Sequence, residues 1–323
     1  MYVGYFDSQV GANPSGGPDK GNEIVEYAPQ ASGNDQPIAV INSDKTTKSA
    51  LFPAYIAFDP SGNVVTYGAT AVDGNGGNDA VLTYAPPKSS GPQAPLDGWA
   101  FYTPLLIYPG PTGLAIDSTG NYYVNGALHQ SLGPDYGLFI TPAADIGNPA
   151  VNPSRTIPWS YSPEQLPPFF TTDVALDAAG EIYIGNSNVT GSGSSESCQG
   201  RSNVFAAGIS GSSNPSPLRI ASFEGVFTKN AQCGAPNNPL VPYFPTITLY
   251  GPTIFVADDF NNTITAYPDS SQGTVKPTLQ ISGSATGLNA PIGLVISSLS
   301  GQAKARPVHP YEALVSDTEE THQ

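Results

Sequence analysis

The sequence predicts an all-β protein, a β-propeller of four-stranded blades. Three observations carry this. A strand–Asp-x-x-Gly–strand unit recurs along the chain. A second unit, an alternating strand that ends in Tyr and is followed by Pro, recurs between copies of the first. The composition is turn-rich and charge-poor, with 35 Gly and 33 Pro among 323 residues and 11% charged residues. Soluble domains usually carry roughly 25% charged residues. A helical bundle or coiled coil needs Ala, Glu, Lys and Leu with few breakers, so those classes are excluded. A disordered chain is poor in aromatics, whereas this one has 17 Tyr, 13 Phe and 2 Trp. Only 11 Lys and Arg stand against 26 Asp and Glu, a net charge of -15. That balance disfavours nucleic acid and anionic membranes as partners. No apolar run reaches the roughly 18 residues that a membrane-spanning helix needs.

The first unit is seen at Ile56-Ala57-Phe58-Asp59-Pro60-Ser61-Gly62-Asn63, Leu114-Ala115-Ile116-Asp117-Ser118-Thr119-Gly120-Asn121 and Val174-Ala175-Leu176-Asp177-Ala178-Ala179-Gly180-Glu181. The Asp side chain caps the turn and Gly supplies a positive φ, so each copy reads as a tight hairpin. A second strand follows each time, and a degraded copy sits at Ile247–Thr253. The second unit is seen at Glu26-Tyr27-Ala28-Pro29, Thr83-Tyr84-Ala85-Pro86 and Ala266-Tyr267-Pro268. After Tyr27 and after Tyr267 the spacing matches closely, with Gly33 and Gly273, Pro37 and Pro277, then Ile41 and Ile281. Four short strands joined by polar turns form one propeller blade.

Counting strands by type fixes the number of blades. First strands fall near 54–58, 112–116, 172–176, 245–249 and 291–296. Second strands fall near 1–6, 64–69, 122–126, 182–186 and 254–258. Third strands fall near 23–28, 80–85, 137–141, 203–207 and 263–267. Fourth strands fall near 37–42, 99–107, 155–159, 218–223 and 277–282. The result is a five-bladed ring in which residues 291–296 pair with the N-terminal strand to close one blade. The alternative is a six-bladed or truncated propeller. The propeller domain spans 1–301, and the polar, aperiodic segment 302–323 is expected to be a flexible tail.

The repeats are longer than the about 40 residues of a minimal blade. The excess falls mainly between second and third strands (7–22, 70–79, 187–202), with more at 142–154, 160–171 and 224–244. Rigid scaffolds carry function on such loops. The plainer reading is drift in unconstrained surface.

The phrase "GLAIDSTGNYYV" and the segment "IFVADDFNNTITAYPDSSQGTVKPTLQISGSATGLNAPIGLVIS" resemble NHL-repeat β-propellers, especially bacterial extracytoplasmic ones. Residues 245–296 match best, and a weaker likeness extends over about 1–300. The resemblance implies the fold and leaves the activity open. Such propellers include protein- and RNA-binding modules, gluconolactonase-type lactonases and streptogramin-type lyases. Two departures stand out. The family commonly has six blades where five are counted here, and secreted members start with a signal peptide. The segment Met1–Phe6 has neither a basic n-region nor a long apolar run.

Candidate chemistry is sparse. Of His129, His309 and His322, only His129 falls within the propeller, after the second strand at 122–126. A multi-His zinc site or a His-bearing lyase site needs more. A calcium site needs six to eight oxygen ligands, and the resemblance to gluconolactonase-like propellers implies one at the mouth of the central channel. The equivalent mouth positions are Tyr5, Gly68, Gly126, Asn186 and Asp258, with Asp7, Asn125 and Asp259 as neighbours. Asn186, Asp258 and Asp259 are therefore the candidate metal ligands. Asp7, Asn125, His129, Asn186 and Asp258 mark the candidate ligand-binding face. The plainer reading makes Asn186 and Asp258 turn residues with Asx geometry. Asp59, Asp117 and Asp177 sit at equivalent positions of separate blades and are turn formers. Neither a G-x-S-x-G elbow nor a phosphate-binding loop is present. Trp99 and Trp159 fall in fourth-strand regions, as outer packing or as exposed stacking platforms.

Cys198 and Cys233 both fall in connections on one face. A disulfide between them would restrain two long loops by roughly 4 kcal/mol on a chain-entropy argument and would point to an oxidising compartment. Two free thiols are the other reading. Together these features predict a non-catalytic, monomeric binding or scaffold propeller, extracytoplasmic (secreted or periplasmic), requiring no cofactor. Its loop-rich face would meet a protein, glycan or small ligand. The alternative is a calcium-dependent lactonase-like hydrolase or lyase at the central channel.

Overall fold

The computed structural model describes residues 1–5, 23–28, 31, 33–43, 55–70, 78–86, 91–93, 95–100, 106–130, 133–146, 155–159, 170–190, 197–207, 217–226, 246–259, 261–288 and 291–296. They form five small sheets, antiparallel apart from two short parallel additions. Blade 1 contains β1 (Tyr2–Tyr5), β2 (Glu23–Glu26) and β3 (Ala39–Ser43). Blade 2 contains β4 (Tyr55–Phe58), β5 (Val64–Thr70), β6 (Asn78–Tyr84) and, after the short β7 (Gly91–Gln93), β8 (Asp97–Ala100). Blade 3 contains β9 (Leu106–Ile116), β10 (Tyr122–Gln130), β11 (Gly133–Thr141) and β12 (Arg155–Trp159). Blade 4 contains β13 (Phe170–Leu176), β14 (Ile182–Thr190), β15 (Ser197–Phe205) and β16 (Arg219–Phe223). Blade 5 contains β17 (Thr246–Tyr250), β18 (Thr253–Asp258), β19 (Thr263–Pro268) and, after β20 (Gly273–Val275), β21 (Leu279–Ile281). Last in sequence, β22 (Pro291–Val295) pairs antiparallel with β1, Val3 opposite Leu294. The ring therefore closes where the strand count places the closure, and the fold is a five-bladed propeller.

The core is a set of five layers between blades. Tyr2, Ile24 and Ile41 of blade 1 pack on Ile56, Val64 and Tyr84 of blade 2. Val65 and Val81 of blade 2 meet Leu114, Val124 and Phe139 of blade 3. Leu138, Ile140 and Ile157 of blade 3 meet Val174, Ile182 and Ile184 of blade 4. Tyr183, Val204 and Phe223 meet Ile254, Val256 and Tyr267. Ala257, Ile264 and Ile281 of blade 5 return to Val3, Val25 and Leu294 of blade 1. Each sheet alternates its side chains between two such layers, which is why both faces of a blade are apolar.

Local chemistry explains the hairpins. The N–H groups of Ser61 and Asn63 donate to Asp59 Oδ1, both at 2.8 Å, and Asn63 Nδ2 donates to Oδ2 at 2.8 Å. Asp117 repeats the whole pattern, and Asp177 repeats its two backbone bonds with Glu181 in place of the Asn. Gly62, Gly120 and Gly180 close the turns at φ 81°, 87° and 80°, where a side chain is strained. Partial burial pushes the Asp117 carboxyl up. Donors from Thr119 and Asn121 outweigh that and hold it below the usual carboxylate range.

The recurrent Tyr and Gly also acquire a role. Tyr27, Tyr84 and Tyr267 are fully buried. The Tyr267 hydroxyl donates to Glu224 O at 2.9 Å, just past the last strand of blade 4. The Tyr27 hydroxyl donates to Thr286 O, just past the last strand of blade 5. Gly273 opens β20, which runs parallel to β16 of the preceding blade. Gly91 opens β7, which runs parallel to β3 of blade 1, and Gly33 bridges to Ile281 in the same sense. The connection before a fourth strand thus adds a short parallel strand to the neighbouring blade, a feature that sequence reading missed.

Several boundaries differ from expectation. The fourth strand expected at 99–107 is β8, ending at Ala100, while Leu106 and Ile107 begin β9. The apolar stretch 99–107 reads as one strand, but its described ends belong to two, Ala100 facing Ala80 of β6 and Leu106 facing Leu128 of β10. The expected loop 187–202 is mostly regular hairpin, with Thr190 opposite Ser197. His129 likewise lies within β10, opposite Pro134, rather than in a loop.

Candidate functional site

Backbone register aligns the second strands at Tyr5, Gly68, Gly126, Asn186 and Asp258, as the repeat pattern predicts. Asp7 lies outside the described residues, and so does Cys233. Cys198 is in β15 opposite Val189. Asp258 ends β18 and is fully buried. Its Oδ1 accepts the Asn261 N–H at 3.0 Å and its Oδ2 accepts Asn261 Nδ2 at 2.7 Å. This is the Asx geometry of a turn former. Asp259 beside it is also buried. Among the described residues, no group of three or more His, Cys, Asp or Glu side chains gathers around one point.

Residues directly opposite across an antiparallel pair share a face of the sheet. Asp258 therefore lies on the face carrying Val256, in the layer between blades 4 and 5. Asn186 lies on the face carrying Ile184, in the layer between blades 3 and 4. Asn125, opposite Leu138 on blade 3, belongs to that same layer. The two asparagines singled out from sequence thus share one layer, and Asp258 occupies the next.

Two arginines of blade 4 complete the polar inventory. Arg219 Nη2 bonds Glu181 Oε2 at 2.8 Å and the Tyr183 hydroxyl at 2.9 Å. Its guanidinium also stands 5.9 Å from the Tyr183 ring centroid. Arg201 differs. It lies opposite Asn186 on β14 and opposite Ser222 on β16, and burial lowers its pKa. Its Nε is sealed from solvent without an acceptor, as is that of Arg219, and Asn186 Oδ1 is sealed without a donor. Asn203 Oδ1, two residues along the same face, is in the same state.

At the axis, Asp173 is a buried carboxylate that sequence reading passed over. Its Oδ1 accepts the Val174 N–H at 2.8 Å and its Oδ2 accepts the Ile247 N–H at 2.9 Å. It also accepts the Leu114 N–H. Leu114, Val174 and Ile247 hold equivalent places on the first strands of blades 3, 4 and 5. One side chain therefore clasps three blades where their inner edges converge. Burial pushes the carboxyl well above the usual range, and the three N–H groups pull it back only in part. On blade 3 the residue equivalent to Asp173 is Gly113. A Cβ there would fall 2.6 Å from Asp173 Cα and 2.6 Å from Val174 N, so only glycine fits.

Closed five-blade topology with polar groups gathered between blades defines the chain as a β-propeller. No family model matches the sequence, and no curated protein matches it. Among solved structures it is similar to a chain of a nidogen/laminin complex, at 11% identity and TM-score 0.40, covering 81% of this chain and 90% of that one. A second similar structure is a putative oxidoreductase (glucose dehydrogenase) from Thermus thermophilus, at 10% identity and TM-score 0.36, covering 74% and 85%.

Proposed function

We propose that this chain is a non-catalytic binding or scaffold propeller of the NHL type, working outside the cytoplasm. The observation that carries the reading is the pair of regular hairpins β10–β11 and β14–β15. Each continues in unbroken register for nine residues, from Tyr122 to Gln130 and from Ile182 to Thr190. They extend equivalent second and third strands of adjacent blades, so both stand on one side of the ring. A rigid ring that projects ordered hairpins from one side offers a preorganised surface, which lowers the ordering cost of binding. The reading includes a protein, glycan or small-molecule ligand, a monomeric ring and a Cys198–Cys233 disulfide.

The test shortens β10–β11 by replacing 128–135 with Asn-Gly, a two-residue turn that joins Ala127 to Tyr136. Wild type should bind ligands on a glycan and peptide array, and the shortened chain should lose that binding while unfolding with an unchanged cooperative transition. Turnover of lactones or esters by wild type, lost on Asp258→Ala, would sink the proposal in favour of a calcium-dependent hydrolase.

A further inference from the structure

We infer that the Arg201–Asn186 pair, in the layer between blades 3 and 4, is a binding site for a small hydroxylated carboxylate such as a uronic acid. The inference rests on the binding reading above and gives it a ligand chemistry. A cation removed from water is normally paired. Arg201 has no carboxylate partner among the described residues. The nearest candidate by sequence register, Asp173, lies opposite Gly185. That puts it on the other face of blade 4, where it clasps Leu114, Val174 and Ile247. The Leu138, Ile157, Val174 and Ile184 side chains of the Arg201 layer supply no acceptor.

The unmatched atoms are of both kinds. Arg201 Nε lacks an acceptor, and Asn186 Oδ1 and Asn203 Oδ1 lack donors. Asn186 is 1% exposed, so its carbonyl cannot turn to bulk water, and a ligand reaches it only as blades 3 and 4 part beside the half-buried Arg201. Arg201 itself is only half-buried, so part of its side chain meets solvent. A guanidinium fork suits a planar carboxylate, which it holds through two parallel bonds. Unfilled amide carbonyls diagonal to each other on adjacent strands of the same face call for hydroxyl donors. A ligand carrying an anionic head and neighbouring hydroxyls satisfies both needs, and a simple anion satisfies only one. In a chain of net charge -15, a cation with no carboxylate partner among the described residues is a local exception to the surrounding field.

D-Galacturonate, D-galactose and acetate serve as probes, read by calorimetry and thermal shift. Galacturonate should bind saturably to wild type, acetate more weakly, and galactose not measurably. Arg201→Gln should weaken galacturonate by about tenfold or more. Asn186→Asp should abolish binding and raise the unfolding temperature, because it supplies in cis the anion that Arg201 lacks. The inference is overturned if galacturonate gives no saturable signal, if galactose matches it, if Arg201→Gln binds unchanged, or if Asn186→Asp is less stable than wild type. Shortening β10–β11 leaves Arg201 and Asn186 in place. Loss of array binding with galacturonate binding retained therefore separates this site from the hairpin surface.

Discussion

Asp173→Ala tests whether one carboxylate holds three blades together. The substitution removes the acceptor of three inner-edge N–H groups, those of Leu114, Val174 and Ile247. Each orphaned buried donor costs about 1–3 kcal/mol. The low end applies, since water entering at the axis replaces part of the lost bonding and removal of a desolvated carboxylate offsets some of the rest. The expected loss is about 3 kcal/mol at pH 7, read by urea unfolding with an unchanged slope. The pH dependence gives a second reading. The folded carboxyl titrates above its unfolded value. Between the unfolded and folded pKa values the native state binds the extra proton, so wild-type stability falls as pH rises through that window. The alanine chain lacks this limb. The gap between the two proteins should be widest near the unfolded carboxyl pKa of about 3.9 and narrow as pH rises. A variant within about 0.5 kcal/mol of wild type would refute the clasp. A gap that widens with rising pH would show that the three N–H groups outweigh burial.

Gly113→Ala drives a Cβ to 2.6 Å from the backbone of Asp173 and Val174. Neither contact can yield without parting blades 3 and 4, so the chain should lose about 3 kcal/mol by urea unfolding; a cost below half of that would mean the ring breathes at its axis. Tyr267→Phe keeps the ring, as Phe205 does at the same register position of blade 4. It leaves Glu224 O without its 2.9 Å donor, for an expected loss of about 1–2 kcal/mol. The phenol, pushed up to about 12 chiefly by burial, should show no spectrophotometric ionisation below pH 11 or so, and an ordinary titration near 10 would place that hydroxyl in water instead.

The parts of this structure that sequence shows are those whose chemistry is local. An Asp that caps its own turn four residues wide, with Gly at positive φ, writes its whole geometry into eight letters. Three copies of it locate three blades. The strand tally then closes the ring, because β1 and β22 each lack a partner that only the other supplies. Parallel strands β7 and β20 escaped because three residues carry no periodicity. Their mark was nevertheless visible as the Gly that follows each buried Tyr.

Asp173 and Arg201 escaped for a different reason. Each sits inside a strand, and Asp173 acts between blades through partners remote in sequence: Ile247 is 74 residues away. What betrays such residues is substitution within an aligned column. Asp173 stands where the other first strands carry Gly293, Tyr55, Gly113 and Thr246, and an ionisable residue there must answer to a neighbouring blade. Arg201 stands in a chain with 11 basic residues, on the strand face that carries the buried Phe205. In a propeller, repeat chemistry specifies the blade, and departures from the repeat mark where blades are joined or where something else is held between them.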